Sequence, residues 1–69
     1  MEIIYKIKAI RDSKGLSLGA LANMSGVSKA QINDIERGKK HPTLPTLIYI
    51  ANALEVNPGD LYEIRYSER

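Results

Sequence analysis

The feature that most limits how this chain can fold is how often it marks the start of a helix. Ser17, Ser28 and Asn57 each follow an apolar residue (Leu16, Val27, Val56) and stand four positions before another (Leu21, Ile32, Leu61). A small polar residue in that setting is an N-cap. Its side-chain oxygen takes up an N–H of the first turn that has no partner within the helix, and the flanking apolar pair staples the entry. Gln31 stands three positions after Ser28, which completes a capping-box pattern, while Pro58 and Asp60 fill the first and third positions after Asn57. Thr43 is a fourth cap, preceded by Pro42 and so without the staple. Each cap contributes on the order of 1 kcal/mol, a sizeable share of the net stability of a domain of 69 residues. Gly15, Gly26 and Gly38 supply the stops. The chain is cut into short helices with short connections, and sequential helices are therefore neighbours.

Taken in order, Ile3, Ile7 and Ile10 recur at the helical period in a segment over residues 3–14. Its opening, Glu2 to Tyr5, lacks a cap and is rich in strand formers, so an extended start stays open. Two helices follow, from about Leu18 to Ser25 and from Lys29 to Arg37, with Gly26 at the turn. Leu21, Ala22, Val27, Ile32 and Ile35 point inward, and Ala22 is small enough for close helix approach. The fourth helix runs from Leu44 to Leu54 or Glu55, with Leu44, Leu47, Ile50, Ala51 and Leu54 as its inward stripe. Pro45 falls in its first turn, where a missing N–H costs little. A short last helix spans Pro58 to about Tyr62. Beyond it, Glu63 to Tyr66 alternates charged and apolar residues, as a strand does. This end either pairs with Glu2 to Tyr5 or frays. The expected fold is all-α, five compact helices in one domain over residues 1–69, with a short two-stranded antiparallel ribbon of the termini as an open addition.

Composition removes several function classes. There is no cysteine and a single histidine, so no disulfide framework and no Cys-based metal site. No Ser/His/Asp set or phosphate-binding glycine loop is present, which leaves no basis for an enzyme or a cofactor. The apolar runs are too short to span a bilayer and nothing resembles a signal peptide, so a cytoplasmic chain is expected. The net charge is only +2, with ten Lys and Arg against eight Asp and Glu. Its distribution matters more: Arg37, Lys39, Lys40 and His41 share one loop, while most acids lie elsewhere. Such a patch suits phosphate, although solvated lysines account for it equally well.

The outward face of the third helix carries Lys29, Ala30, Asn33, Asp34 and Arg37, a polar, short and partly basic surface of the kind that fits a DNA major groove. Lys29 suits either guanine O6 and N7 or a phosphate. Asn33 suits adenine or solvent. Ala30 offers only apolar contact to a thymine methyl. Asp34 either accepts from cytosine N4 or orients Lys29 or Arg37.

The run from Gly26 to Val56 resembles the Cro/C1-type helix-turn-helix proteins, the Xre family, and the likeness extends over about residues 3–62. Ala22, Gly26, Val27, Ile32 and Ile35 match the spacing of the helix-turn-helix signature, here within residues 17–38. Ile35-Glu36-Arg37-Gly38 matches the end of the recognition helix, Pro42-Thr43-Leu44 the start of the next, and Ile50-Ala51 with Ala53-Leu54 its middle. The resemblance implies a lambda-repressor-like domain that binds specific double-stranded DNA as a homodimer and controls transcription. It places Ser28, Lys29, Ala30, Asn33 and Asp34 against base edges. It places Ser17, Arg37, Lys39, Lys40 and His41 along phosphates, and pairs Arg11 with Glu36 as a structural ion pair. Leu18 departs from the family, which usually has a phosphate-binding Gln there; the clamp is then weaker or comes from backbone N–H groups. Ser25 departs more mildly, standing where an apolar residue is usual. One domain offers few base contacts, so a dimer on half-sites about 34 Å apart is expected. Ile48, Tyr49, Tyr62, Ile64 and Tyr66 are candidate interface residues, with Ile64 better read as core. The alternative is a protein-interaction module, such as an antitoxin, with secondary DNA binding. Neither a membrane nor a small-molecule substrate is implied.

Overall fold

The computed structural model describes residues 1–67. The order is β1 (Glu2–Tyr5), α1 (Ile7–Ser13), α2 (Leu18–Ser25), α3 (Lys29–Glu36), α4 (Leu44–Leu54), a 3₁₀ turn (Pro58–Leu61) and β2 (Tyr62–Arg65). Three of the four caps act through their side chains. Ser17 accepts from the Ala20 N–H at 3.0 Å, Ser28 from Gln31 at 3.1 Å and Thr43 from Thr46 at 3.3 Å. At Ser28 only this half of the capping box is formed among the described residues.

The fold has four α-helices, not the five expected, and the two-stranded ribbon that the sequence left open is formed. Asp60 donates its N–H to the Asn57 carbonyl at 2.9 Å, and its carboxylate accepts from the Asn57 N–H at 3.2 Å, which closes a tight three-residue turn. Tyr62 is already extended, with φ −146°, because the chain is taken up by strand pairing before an α-turn can form. The first helix begins at Ile7, so Ile3 belongs to a strand. β1 and β2 run antiparallel, pairing Glu2 with Arg65, Ile3 with Ile64, Ile4 with Glu63 and Tyr5 with Tyr62. Lys6 closes the ribbon by donating its N–H to the Leu61 carbonyl at 2.7 Å.

The core is one cluster: Ile7 from α1, Leu21 from α2, Val27, Ile32 and Ile35 from the turn and α3, four residues of α4 and Leu61. On α4 the buried stripe is Leu47, Ile50, Ala51 and Leu54, at the helical period. Leu44 does not join it and is 66% exposed, since the first turn of α4 overhangs an open groove instead of another helix. Ile64 is likewise outside the core, at 42% exposure, because the ribbon projects past the helices. α4 ends on Glu55, which adopts left-handed geometry with φ 59°, a conformation that favours glycine. No helix among the described residues is long and apolar enough to cross a membrane.

Candidate nucleic-acid interface

Two short helices and their turn build the centre of the site. Gly26, with φ 77°, turns the chain sharply after α2. The Ser25 hydroxyl sits inside that turn and accepts the Val27 N–H at 3.1 Å, which gives this unusual serine a structural task. Val27 is buried, and Ile32 and Ile35 anchor α3 on the core. The opposite side of α3 is thereby turned to solvent. Ser28, Lys29, Ala30, Gln31 and Arg37 are exposed, while Asn33 and Asp34 are half-buried. Gln31 was not singled out in the sequence reading, because its place three residues after Ser28 assigned it to the capping box. Its side chain is exposed, on the side of α3 opposite Lys29.

The loop after α3 is fixed at three successive residues. The Lys39 N–H donates to the Asp34 carbonyl at 2.8 Å. The Lys40 ammonium lies 3.6 Å from the Asp34 carboxylate. His41 Nδ1 lies 2.7 Å from the Tyr5 hydroxyl. Asp34 therefore meets Lys40, and neither Lys29 nor Arg37 as the sequence reading allowed. That pairing leaves no bare acid facing outward beside Arg37, Lys39 and Lys40. Neither the Lys40 contact nor the Tyr5 contact follows a helical or strand spacing, so no local sequence signal marks them.

Arg11 and Glu36 meet in a bidentate pair. Arg11 Nε donates to Glu36 Oε2 at 2.8 Å and Nη2 to Oε1 at 3.1 Å, while Nη1 donates to the Leu16 carbonyl at 2.9 Å. The guanidinium also lies 3.4 Å from Asp12. The hydrogen bond to Glu36 pushes the Arg11 pKa upward, against the opposite pull of burial. The pair ties α1 to the end of α3 and keeps the Glu36 charge away from the exposed face.

At α2, Ser17 is exposed and its Oγ accepts the Ala20 N–H, which leaves the hydroxyl proton free to donate. Leu18 is half-buried and packs toward the core.

A short helix pair with a glycine turn, the second helix presented to solvent and flanked by a basic loop, defines a helix-turn-helix reading head. Residues 7–61 match the family model described as helix-turn-helix. Among curated proteins, the transcriptional regulator SutR of Escherichia coli K12 is 46% identical over 50 residues, which cover 72% of this chain and 28% of SutR. The immunity repressor of Bacillus phage phi105 is 38% identical over 56 residues, covering 81% of this chain and 39% of that protein. Among solved structures, the biofilm master regulator SinR in complex with DNA superposes with a TM-score of 0.75 at 34% identity, over 78% of this chain and 87% of that one. The chain thus spans well under half the length of the two curated relatives. It belongs to the Cro/C1-type (Xre) helix-turn-helix family of DNA-binding transcriptional regulators.

Proposed function

We propose that the chain acts as one sequence-specific DNA-binding domain over residues 1–69, that it represses transcription, and that it binds duplex DNA as a homodimer with α3 in the major groove. The observation that carries this reading is the presentation of α3. Ile32 and Ile35 hold it on the core while Ser28, Lys29 and Ala30 stand clear of every other element. Ser28, Lys29, Ala30, Asn33 and Asp34 face base edges. Ser17, Arg37, Lys39, Lys40 and His41 contact phosphates and set register. The clamp that Leu18 cannot supply comes from the first backbone N–H groups of α2, where the helix dipole also favours an anion. Repression is the reading favoured by the phage immunity repressor among the relatives. A second copy is favoured by the exposed apolar residues Leu44, Ile48 and Tyr49 of α4, Ile64 of the ribbon and Tyr66 just beyond it, none of them on α3. A cytoplasmic location belongs to the same reading, since duplex DNA is the proposed partner.

Selection of bound sequences from a random duplex library tests the proposal. A two-fold symmetric site is expected, with half-sites about one helical turn apart and an affinity that falls steeply as salt rises. Recovery of no preferred sequence, or of a single half-site, would count against it.

A further inference from the structure

We propose that Tyr5 is a positioning residue for the DNA interface: its hydroxyl fixes the His41 imidazole with the proton on Nε2 and turns that N–H outward as a phosphate donor. The inference rests on the DNA-binding reading above and deepens it. Tyr5 is in β1, and β1 is held by β2 and by the Lys6 to Leu61 backbone bond. Its ring is half-buried and lines an apolar groove with Ile3, Pro42, Leu44, Leu47 and Tyr62. The phenol is thus clamped by the ribbon on one side and by the start of α4 on the other. Burial also pushes its pKa up, which keeps it a phenol capable of donating.

The hydroxyl lies 2.7 Å from His41 Nδ1, with the two rings tilted by 54° and their centroids 5.7 Å apart. Nδ1 is therefore committed to Tyr5. In the neutral imidazole the phenol is the stronger donor and the ring nitrogen the stronger acceptor, so the bond favours Nδ1 as acceptor with the ring's own proton on Nε2. In the charged imidazolium, Nδ1–H donates to the phenolic oxygen, and Nε2–H is again present. With the phenol donating to the neutral ring and accepting from the charged one, the outer nitrogen is a donor in either state. No described residue hydrogen-bonds to that nitrogen, and His41 is exposed. His41 follows directly on Lys39 and Lys40, so its N–H extends the row of donors that the Asp34 contacts have already set. A free imidazole would populate both tautomers, and one of them turns a lone pair toward a phosphate.

The test is made on the whole chain with Tyr5→Phe, which keeps the ring in the groove and removes only the oxygen. Nitrogen-15 spectra of the His41 ring, recorded where the imidazole is neutral, should show the proton on Nε2 alone in the unmodified chain. In Tyr5→Phe the Nδ1 resonance should move and the second tautomer should appear. On the duplex obtained by selection, Tyr5→Phe should weaken binding about three- to tenfold, the scale of one ordinary hydrogen bond. In a His41→Ala background the same change should alter affinity by less than about twofold, since both substitutions remove one interaction. A ring proton on Nδ1 in the unmodified chain, or ring resonances that ignore Tyr5→Phe, would overturn the inference. So would additive effects of the two substitutions. A chain that keeps the Nε2 proton but binds no duplex would sink the DNA reading itself, and the positioning role with it.

Discussion

Only 10% of the Arg11 side chain and 4% of the Glu36 side chain are exposed, so water cannot stand in for either partner if the other is lost. Removing one member of such a pair leaves an uncompensated charge in the interior, which is far worse than losing the pair. Arg11→Ala should lower the unfolding free energy by about 3–5 kcal/mol, read from urea titration. Lys14→Ala, at an exposed position next to α1, should stay within about 0.5 kcal/mol of the unmodified chain. Replacing both partners, as Arg11→Met with Glu36→Leu, should cost less than Arg11→Ala alone, because no charge is then stranded. Glu55 poses the opposite case. Its left-handed backbone, at φ 59°, strains any residue with a Cβ. Glu55→Gly should raise stability by about 0.5–1 kcal/mol, the relief of strain less the added freedom of the unfolded glycine. A lower melting temperature in this variant would show that the Glu55 side chain has an unseen stabilising contact.

For the elements, the helix starts were legible because they are written locally. Ser17, Ser28 and Thr43 cap the helices that follow them by bonding N–H groups three residues away, within reach of a short sequence pattern. The stops at Gly15, Gly26 and Gly38 were legible for the same reason, since each has positive φ. The last helix was misread because the Asp60 carboxylate does accept the Asn57 N–H as the pattern implies, yet that bond closes a 3₁₀ turn as well as an α-turn. What decided between them was β1, more than fifty residues away by the pairing of Tyr62 with Tyr5. On the reading helix, sequence spacing identified the outward face but not the partner of Asp34, which depends on how the loop folds back. The roles on that face separate by experiment. Lys29→Ala should change which bases are preferred, while Lys39→Ala should weaken all duplexes alike and reduce the salt slope by about one per bound subunit. If both variants behave as Lys39→Ala, Lys29 is a phosphate contact.

At the scale of the molecule, most of the large apolar residues left on the surface lie outside the reading head, with Met24 of α2 the exception. Leu44, Ile48 and Tyr49 come from α4 and Ile64 and Tyr66 from the end of the chain. The sequence singled out all of these except Leu44, which its helical period assigned to the core; nothing in a single helix tells that its first turn has no neighbour. Tyr49 is 56% exposed, so Tyr49→Lys removes little from the core and should leave the melting temperature nearly unchanged. The same change should shift the chain toward monomer in sedimentation and weaken binding to a two-half-site duplex, with little effect on a single half-site. An unaltered sedimentation profile would move the subunit contact away from this face of α4.

The ribbon has a kinetic consequence. It joins Glu2 to Arg65, the most distant positions that any regular element of the described chain brings together. The entropy of closing so long a loop must be overcome before the pairing returns any stability, whereas each capped helix forms from contacts within itself. The ribbon should therefore close last in folding and open first on warming, as two short strands with little core of their own. In hydrogen exchange, the paired amides of β1 and β2 should lose protection ahead of Ile50 and Leu54. The opening would carry Tyr5 away from His41, so the basic loop would lose one of its three moorings while every helix was still intact. Affinity for DNA would then begin to decline at temperatures where circular dichroism still reports a fully folded protein.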